Sequence, residues 1–306
     1  MSNNNKKKGT GKALKVQVDG KYYPSLFAAA IEIGCNYSWL WCKLQCGETK
    51  IYGKTIKLVT KEEKNMATTI TITNGKGGTG KTSLCVFLAE YLYSKGFKTL
   101  VIDLDPNCSI SEVYGFVLKE HNSKAFMQGI PTTPYTAKTH ENATLDIIPS
   151  DLNLGMLANI SDTKIKIQLK KQNLLQKYDF VLIDPPGTWN SQTRNAIYAA
   201  DSIVVCGKCS PLDFEATKNY VVLLSECGLD DNTEFCVVCN AYNAQKDPDK
   251  ILEKYRDTFK NYLLDNPIPE LTSLKRLAYD PAYKIRADII EKLTQFVQAA
   301  TKGQVQ

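Results

Sequence analysis

The clearest chemistry in this chain sits in Asn74-Gly75-Lys76-Gly77-Gly78-Thr79-Gly80-Lys81-Thr82-Ser83. The stretch fits G-x-x-x-x-G-K-[ST], with Gly75, Gly80, Lys81 and Thr82 in the fixed places. Such a loop suits phosphate. Glycines let the backbone wrap closely with its N–H groups inward, Lys81 brings a charge to the β- and γ-phosphates, and the Thr82 hydroxyl is placed to ligate Mg²⁺. Two carboxylate motifs follow. Thr99-Leu-Val-Ile-Asp103-Leu-Asp105-Pro106-Asn107 puts two acids at the end of an apolar run, and Phe180-Val-Leu-Ile-Asp184-Pro-Pro-Gly187 puts a third at the end of another.

These residues need elements to hold them. Thr68–Thr73 alternates and is β-branched, which predicts a strand before the loop. Leu84, Phe87, Leu88, Tyr91 and Leu92 recur at helical spacing after it, with Gly96 as a stop. Further strands are expected near 99–103, 144–149, 178–184, 200–206 and 233–240. Helices are expected over 165–175, 213–224 and 247–264, and at the C-terminus, where Ile289, Leu293, Phe296 and Val297 share a face. Residues 109–144 read as mixed, with an exposed loop at Gly129-Ile-Pro-Thr-Thr-Pro. Apolar strands alternating with helices predict an α/β fold, a parallel twisted sheet flanked by helices. The three acids would then emerge at the C-terminal edge of the sheet, where open α/β sheets bind ligands.

Lys76 is surplus to an ordinary phosphate loop, which needs only the lysine before Thr82. Lys-Gly-Gly-Thr-Gly-Lys-Thr, with Asp-Leu-Asp-Pro and the later Asp184, resembles the ParA/MinD family of deviant-Walker ATPases, closest to its DNA partition members. The resemblance covers roughly residues 66–300. It implies slow hydrolysis of ATP with Mg²⁺ in a homodimer that sandwiches two nucleotides, Lys76 reaching the partner's nucleotide and Lys81 its own. It further implies that Asp105 orients the attacking water and that Asp103, Thr82 and Asp184 serve the metal. Gly75, Gly77, Gly78, Thr79, Gly80 and Ser83 would cradle the phosphates, with Asn240 and Pro269 near the base. Asn107 departs from the family, which usually has glutamine there.

Charge is uneven. Residues 1–65 hold 12 lysines against 5 acids, while residues 66–306 hold 26 basic and 27 acidic residues. A basic segment beside a nearly neutral one points to a polyanion partner. Residues 1–13 read as a disordered basic tail, 14–60 as a small α+β domain, 61–65 as a linker and 66–306 as the ATPase. Within 14–60 a hairpin turning at Asp19-Gly20 precedes two helices, 25–33 and one carrying Tyr37, Leu40, Trp41 and Leu44 on one face, and a closing strand over 51–59. Two short helices joined by a three-residue turn are similar to a helix-turn-helix. Ser38, Trp39 and Lys43 would face a DNA groove, with Lys50, Lys54 and Lys57 near phosphates. A structural helical pair is the alternative.

Lys275, Arg276, Lys284 and Arg286 form a second basic cluster, suited to nonspecific DNA or simply to solvent. Of ten cysteines, Cys206-x-x-Cys209 and Cys236-x-x-Cys239 have zinc-like spacing. Both pairs fall in or at the end of predicted strands, where positions i and i+3 point to opposite faces. Buried thiols are expected for most. No apolar run reaches the length of a membrane span, and no secretory signal opens the chain, so a cytoplasmic, nucleoid-associated protein is expected. The preferred function is a plasmid or chromosome partition ATPase, whose ATP dimer coats DNA and is released by a ParB-like centromere-binding partner. The alternatives are a nucleotide-gated DNA-binding regulator, or a MinD-like membrane-cycling ATPase. The latter needs a terminal amphipathic basic helix, and Ala299–Gln306 makes a poor one.

Overall fold

Thr68–Thr73 does form a strand, and a glycine loop and helix follow it, as the alternation of residue types requires. The computed structural model describes residues 15–23, 26–45, 48–59, 66–157, 160–230, 232–243, 249–277, 280 and 287–305. The chain divides into two compact units, Met1–Met66 and Ala67–Gln306. Among the described residues no helix is long and apolar enough to cross a membrane.

In the first unit, β1 (Lys15–Val18) and β2 (Lys21–Tyr23) form the hairpin, turning at Asp19 and Gly20, both at positive φ. Helices α1 (Leu26–Ile33) and α2 (Tyr37–Gln45) are joined through Gly34, whose φ of 77° only glycine adopts cheaply. Asn36 starts α2 by accepting hydrogen bonds from the Ser38 and Trp39 amides. The closing strand expected over 51–59 is instead a second hairpin, β3 (Lys50–Ile51) and β4 (Lys54–Val59). Tyr52 and Gly53, both at positive φ, turn the chain back. The strands run in the order β2-β1-β4-β3, and Val16, Leu40, Leu44, Ile51 and Ile56 fill the core beneath.

The second unit is built on β5 (Thr68–Thr73), β6 (Thr99–Asp103), β7 (Tyr135–His140), β8 (Ala143–Ile148), β9 (Phe180–Asp184), β10 (Ser202–Lys208) and β11 (Glu234–Asn240). They lie in the order β11-β10-β5-β9-β6-β8-β7, parallel except for β7. That antiparallel edge strand falls in the stretch read from sequence as mixed. Its side chains are half-buried or exposed and polar, so no apolar run announces it.

Helices cover both faces. Ile70 and Ile72 of β5 join a core with α3 (Lys81–Ser94) and α12 (Ala287–Ala300). The alternating threonines face the other side, where Thr71 Oγ1 donates to the Ala196 carbonyl on α8 (Ser191–Ala199) at 2.9 Å. That face is completed by α5 (Ser123–Gln128), α6 (Lys164–Lys171), α7 (Leu174–Lys177), α9 (Pro211–Ser225) and α10 (Asp249–Phe259), with α4 (Ser109–Val113) following β6. The single helix expected over 165–175 is broken between α6 and α7, because Asn173 takes φ 55°. The helix expected over 247–264 ends at Phe259 in a 3-10 turn over Lys260–Tyr262.

Cysteine burial is lower than expected: of the nine described cysteines, Cys85, Cys108, Cys206 and Cys239 are buried, and none of the nine is in a disulfide. Of the others, Cys42 is exposed on α2, Cys236 is half-buried within β11, and Cys35, Cys209 and Cys227 lie in the connections between elements. Among the described residues no group of three or more His, Cys, Asp or Glu side chains could hold a metal.

Candidate functional site: a phosphate loop at the strand ends

β5 delivers the chain to the C-terminal edge of the sheet, and the loop turns over it on glycines. Gly78 and Gly80 take φ 74° and 98°, which a side chain would oppose. Helix α3 starts at Lys81, and no side chain caps it, so its first N–H groups stay available to an anion. The loop is tied down from several sides. Asn74 Nδ2 donates to the Cys206 carbonyl and to Thr217 Oγ1, both at 2.9 Å, and Asn240 Nδ2 donates to the Thr79 carbonyl at 2.8 Å. Gly75 lies under the Tyr220 ring, whose Cδ2 would stand 2.8 Å from an added Cβ. An added Cβ on Gly187 would meet Gly77 N at 3.0 Å, so the loops after β5 and β9 pack backbone to backbone.

Lys81 is 6% exposed, and its Nζ donates to the Lys76 carbonyl at 3.3 Å. The Lys76 side chain turns elsewhere, pairing at 2.8 Å with Asp213 on the first turn of α9. Thr82 Oγ1 donates to Asp184 Oδ2 at 2.8 Å, while the buried Asp184 Oδ1 has no partner among the described residues. Asp103 and Asp184 are cross-strand neighbours, both fully buried. Burial, with the Asp103 charge second, pushes the Asp184 carboxyl up to about 8. Burial likewise pushes Asp103 up to about 6, against hydrogen bonds from Ser111 that hold it down. Asp105 is half-exposed and accepts the Asn107 amide at 2.9 Å.

A cavity of about 620 Å³ opens over these groups. Gly77, Gly78, Thr79, Gly80, Lys81, Thr82, Ser83, Asp105, Asn240 and Pro269 all line it. Pro269 arrives because the segment before it pairs with the end of β11, the Tyr242 amide donating to the Ile268 carbonyl at 2.9 Å. Gly75, Lys76, Asp103 and Asp184 stand outside its wall. For Asp103 the reason is plain: Oδ2 accepts from the Ser111 amide and hydroxyl at 2.9 and 2.7 Å, and Oδ1 from the Asp105 amide. Sequence reasoning missed Lys208, Asn107, Ser109, Thr188 and Glu270, which also line the cavity. For Lys208 the one available signal was its place at the end of an apolar run. That becomes informative only once β10 is known to lie beside β5.

The donor set fits a magnesium nucleotide. The uncapped helix terminus and Lys81 face anions, and an orphaned carboxylate oxygen beside a hydroxyl suits a divalent cation. A cation there would also draw the proton from the raised Asp184 carboxyl.

The model of an AAA domain family, AAA_31, matches residues 67–237, a little over half of the chain. The chain belongs to the ParA/MinD family of P-loop ATPases. The chain is 29% identical over 241 residues to an uncharacterized protein of Methanocaldococcus jannaschii, covering 72% of this chain and 92% of that one. It is 24% identical over 210 residues to the chromosome partitioning protein ParA of Myxococcus xanthus, covering 65% and 74%. A plasmid partition protein from Borrelia burgdorferi superposes with a TM-score of 0.61 at 22% identity, over 76% of this chain and 97% of the other. A cobyrinic acid a,c-diamide synthase from Mycobacterium smegmatis, with a bound ATP analogue and magnesium, gives 0.59 at 22%, over 70% and 91%. At such identities the structures share a fold.

The residues expected at DNA fall on several elements of the two units. Ser38 and Trp39 are exposed on α2, and Lys43 pairs with Glu48 at 2.7 Å while its ammonium lies 5.7 Å from the Trp39 ring centre. Ile51 pairs with Lys54 and Lys50 with Thr55, so Lys50 and Lys54 leave opposite faces of the hairpin. Lys54 is half-buried, its Nζ 3.4 Å from the Glu32 carbonyl. Lys57 lies on β4 opposite Gln17. Arg276 is exposed on α11 (Thr272–Leu277), which also carries Lys275, whereas Lys284 and Arg286 lie outside the described residues.

Proposed function

We propose that the protein is an ATP-dependent DNA partition ATPase, in which nucleotide state and self-association form one cycle. The observation that carries this reading is the pair Lys76 and Lys81 in one glycine loop, with only Lys81 folded over that loop. Lys76, held outside the cavity by Asp213 of its own subunit at 2.8 Å, would exchange that partner for the nucleotide of a second copy. Thr82 and Asp184 would hold Mg²⁺, which when bound neutralises charge across the β- and γ-phosphates. Lys81 and the loop amides bind the triphosphate, Asn240 holds the loop and, with Pro269, flanks the base. Asp105, at the cavity wall, orients the water for in-line attack. Chemistry of this kind is chiefly positioning and charge stabilisation, so dimer contacts can gate it.

The ATP-bound dimer then holds DNA through basic surfaces that include Arg276 and the first unit. A ParB-like, centromere-binding protein stimulates hydrolysis and release. A second reading, a nucleotide-gated DNA-binding regulator, is favoured by Ser38 and Trp39 standing exposed on α2. One experiment separates the two. The full-length protein is measured for dimerisation and for binding to unrelated and to candidate operator DNA, with ATP, ADP, a non-hydrolysable ATP analogue or none. Nonspecific binding that requires ATP and coincides with the dimer supports partition. Site-specific binding supports the regulator. A monomer at every concentration with the analogue overturns the cycle.

A further inference from the structure

Lys208 ends β10, and its side chain reaches the cavity that the phosphate loop lines. Its Nζ lies 4.0 Å from where a Cβ on Gly78 would stand. The backbone there is held firmly. The Lys208 carbonyl accepts the Tyr255 hydroxyl at 3.0 Å and the Ser210 amide at 2.9 Å, and Lys208 pairs in register with Asn240, itself bonded to the loop. Among the described residues no carboxylate pairs with Lys208. Lys76 is the opposite case, because Asp213, steadied by the Ser210 hydroxyl, takes its ammonium. The short connection 208–213 thus holds one loop lysine outside the cavity and sends a different lysine in.

With Lys81 and an uncapped helix terminus already aimed at the same space, a further ammonium raises the positive potential there, and a polyanion answers it best. We propose that Lys208 is a phosphate-binding cation that acts in cis on the polyphosphate of the bound nucleotide. This rests on the ATP reading above. It gives each subunit two cations of its own, Lys81 and Lys208, before any partner arrives.

The test titrates the full-length protein and its Lys208→Gln and Lys208→Arg variants with Mg²⁺ and fluorescent ATP, and with fluorescent adenosine as the uncharged control. Lys208→Gln should bind ATP about tenfold more weakly, the loss of roughly one charge-assisted contact. Lys208→Arg should recover most of that, and adenosine binding should not change. Melting without nucleotide shows whether Lys208→Gln is folded; if it is not, Lys208→Met takes its place in the comparison with Lys208→Arg. ATP binding equal to that of the unaltered protein, or an equal loss for adenosine, overturns the phosphate role. Failure of the unaltered protein to bind ATP at all would instead remove the ATP reading.

Discussion

Lys81 is all but buried against the loop that it closes, whereas Lys50 on β3 is exposed and has no ionic partner among the described residues. Both are lysines that open an element, α3 and β3, yet their surroundings differ in kind. Around Lys81 the backbone itself is the binding surface, and glycine spacing dictates where each N–H points. Around Lys50 nothing in the fold specifies a ligand, so an expected phosphate contact there depends on what approaches. Cations set by backbone geometry carry their function in the sequence. Cations on an open strand carry only an electrostatic tendency, which salt screens.

The contrast can be broken at several points. The largest effect should come from Asp105→Ala, which leaves the loop untouched but removes the group proposed to orient water. Turnover should fall roughly 100-fold or more in a phosphate-release assay, while dimer formation with the ATP analogue persists. Next is Lys76→Ala, which should bind ATP in the fluorescent titration yet stay monomeric in sedimentation with the analogue. Turnover equal to the unaltered protein's would contradict a role across the dimer. Gly187→Ala tests whether backbone packing sets the loop, since its Cβ would meet Gly77 N at 3.0 Å. A shift of the loop by a few tenths of an ångström should weaken ATP binding about tenfold, a cost near 1.4 kcal/mol. The smallest change is expected at Lys50. Lys50→Ala should lower DNA affinity modestly and reduce the slope of log affinity against log salt by about 0.9, the mark of one lost phosphate contact. An unchanged slope would return Lys50 to the solvent.

Much of the site was legible because it is local. From Asn74 to Ser83 the spacing of glycines, lysine and threonine is itself the geometry, and an apolar run ending in Asp184 already marks a strand end. The parallel α/β sheet followed from strands and helices alternating along the chain. Errors arose where local pattern is silent. A bend at Asn173 interrupts a continuous amphipathic stretch, the Tyr52-Gly53 turn folds one apparent strand into a hairpin, and β7 is too polar at the sheet edge to announce itself.

By itself, then, the order of residues determined the phosphate loop, the strand that feeds it, the acids at the sheet's edge and membership of the ParA/MinD family, because each depends on neighbours within about a dozen positions. The tertiary structure alone decided which groups meet. It drew Lys76 onto Asp213 and brought Lys208 and Pro269 to the cavity. Those contacts depend on β10 lying between β5 and β11, a strand order that long-range packing selects and that no local spacing records.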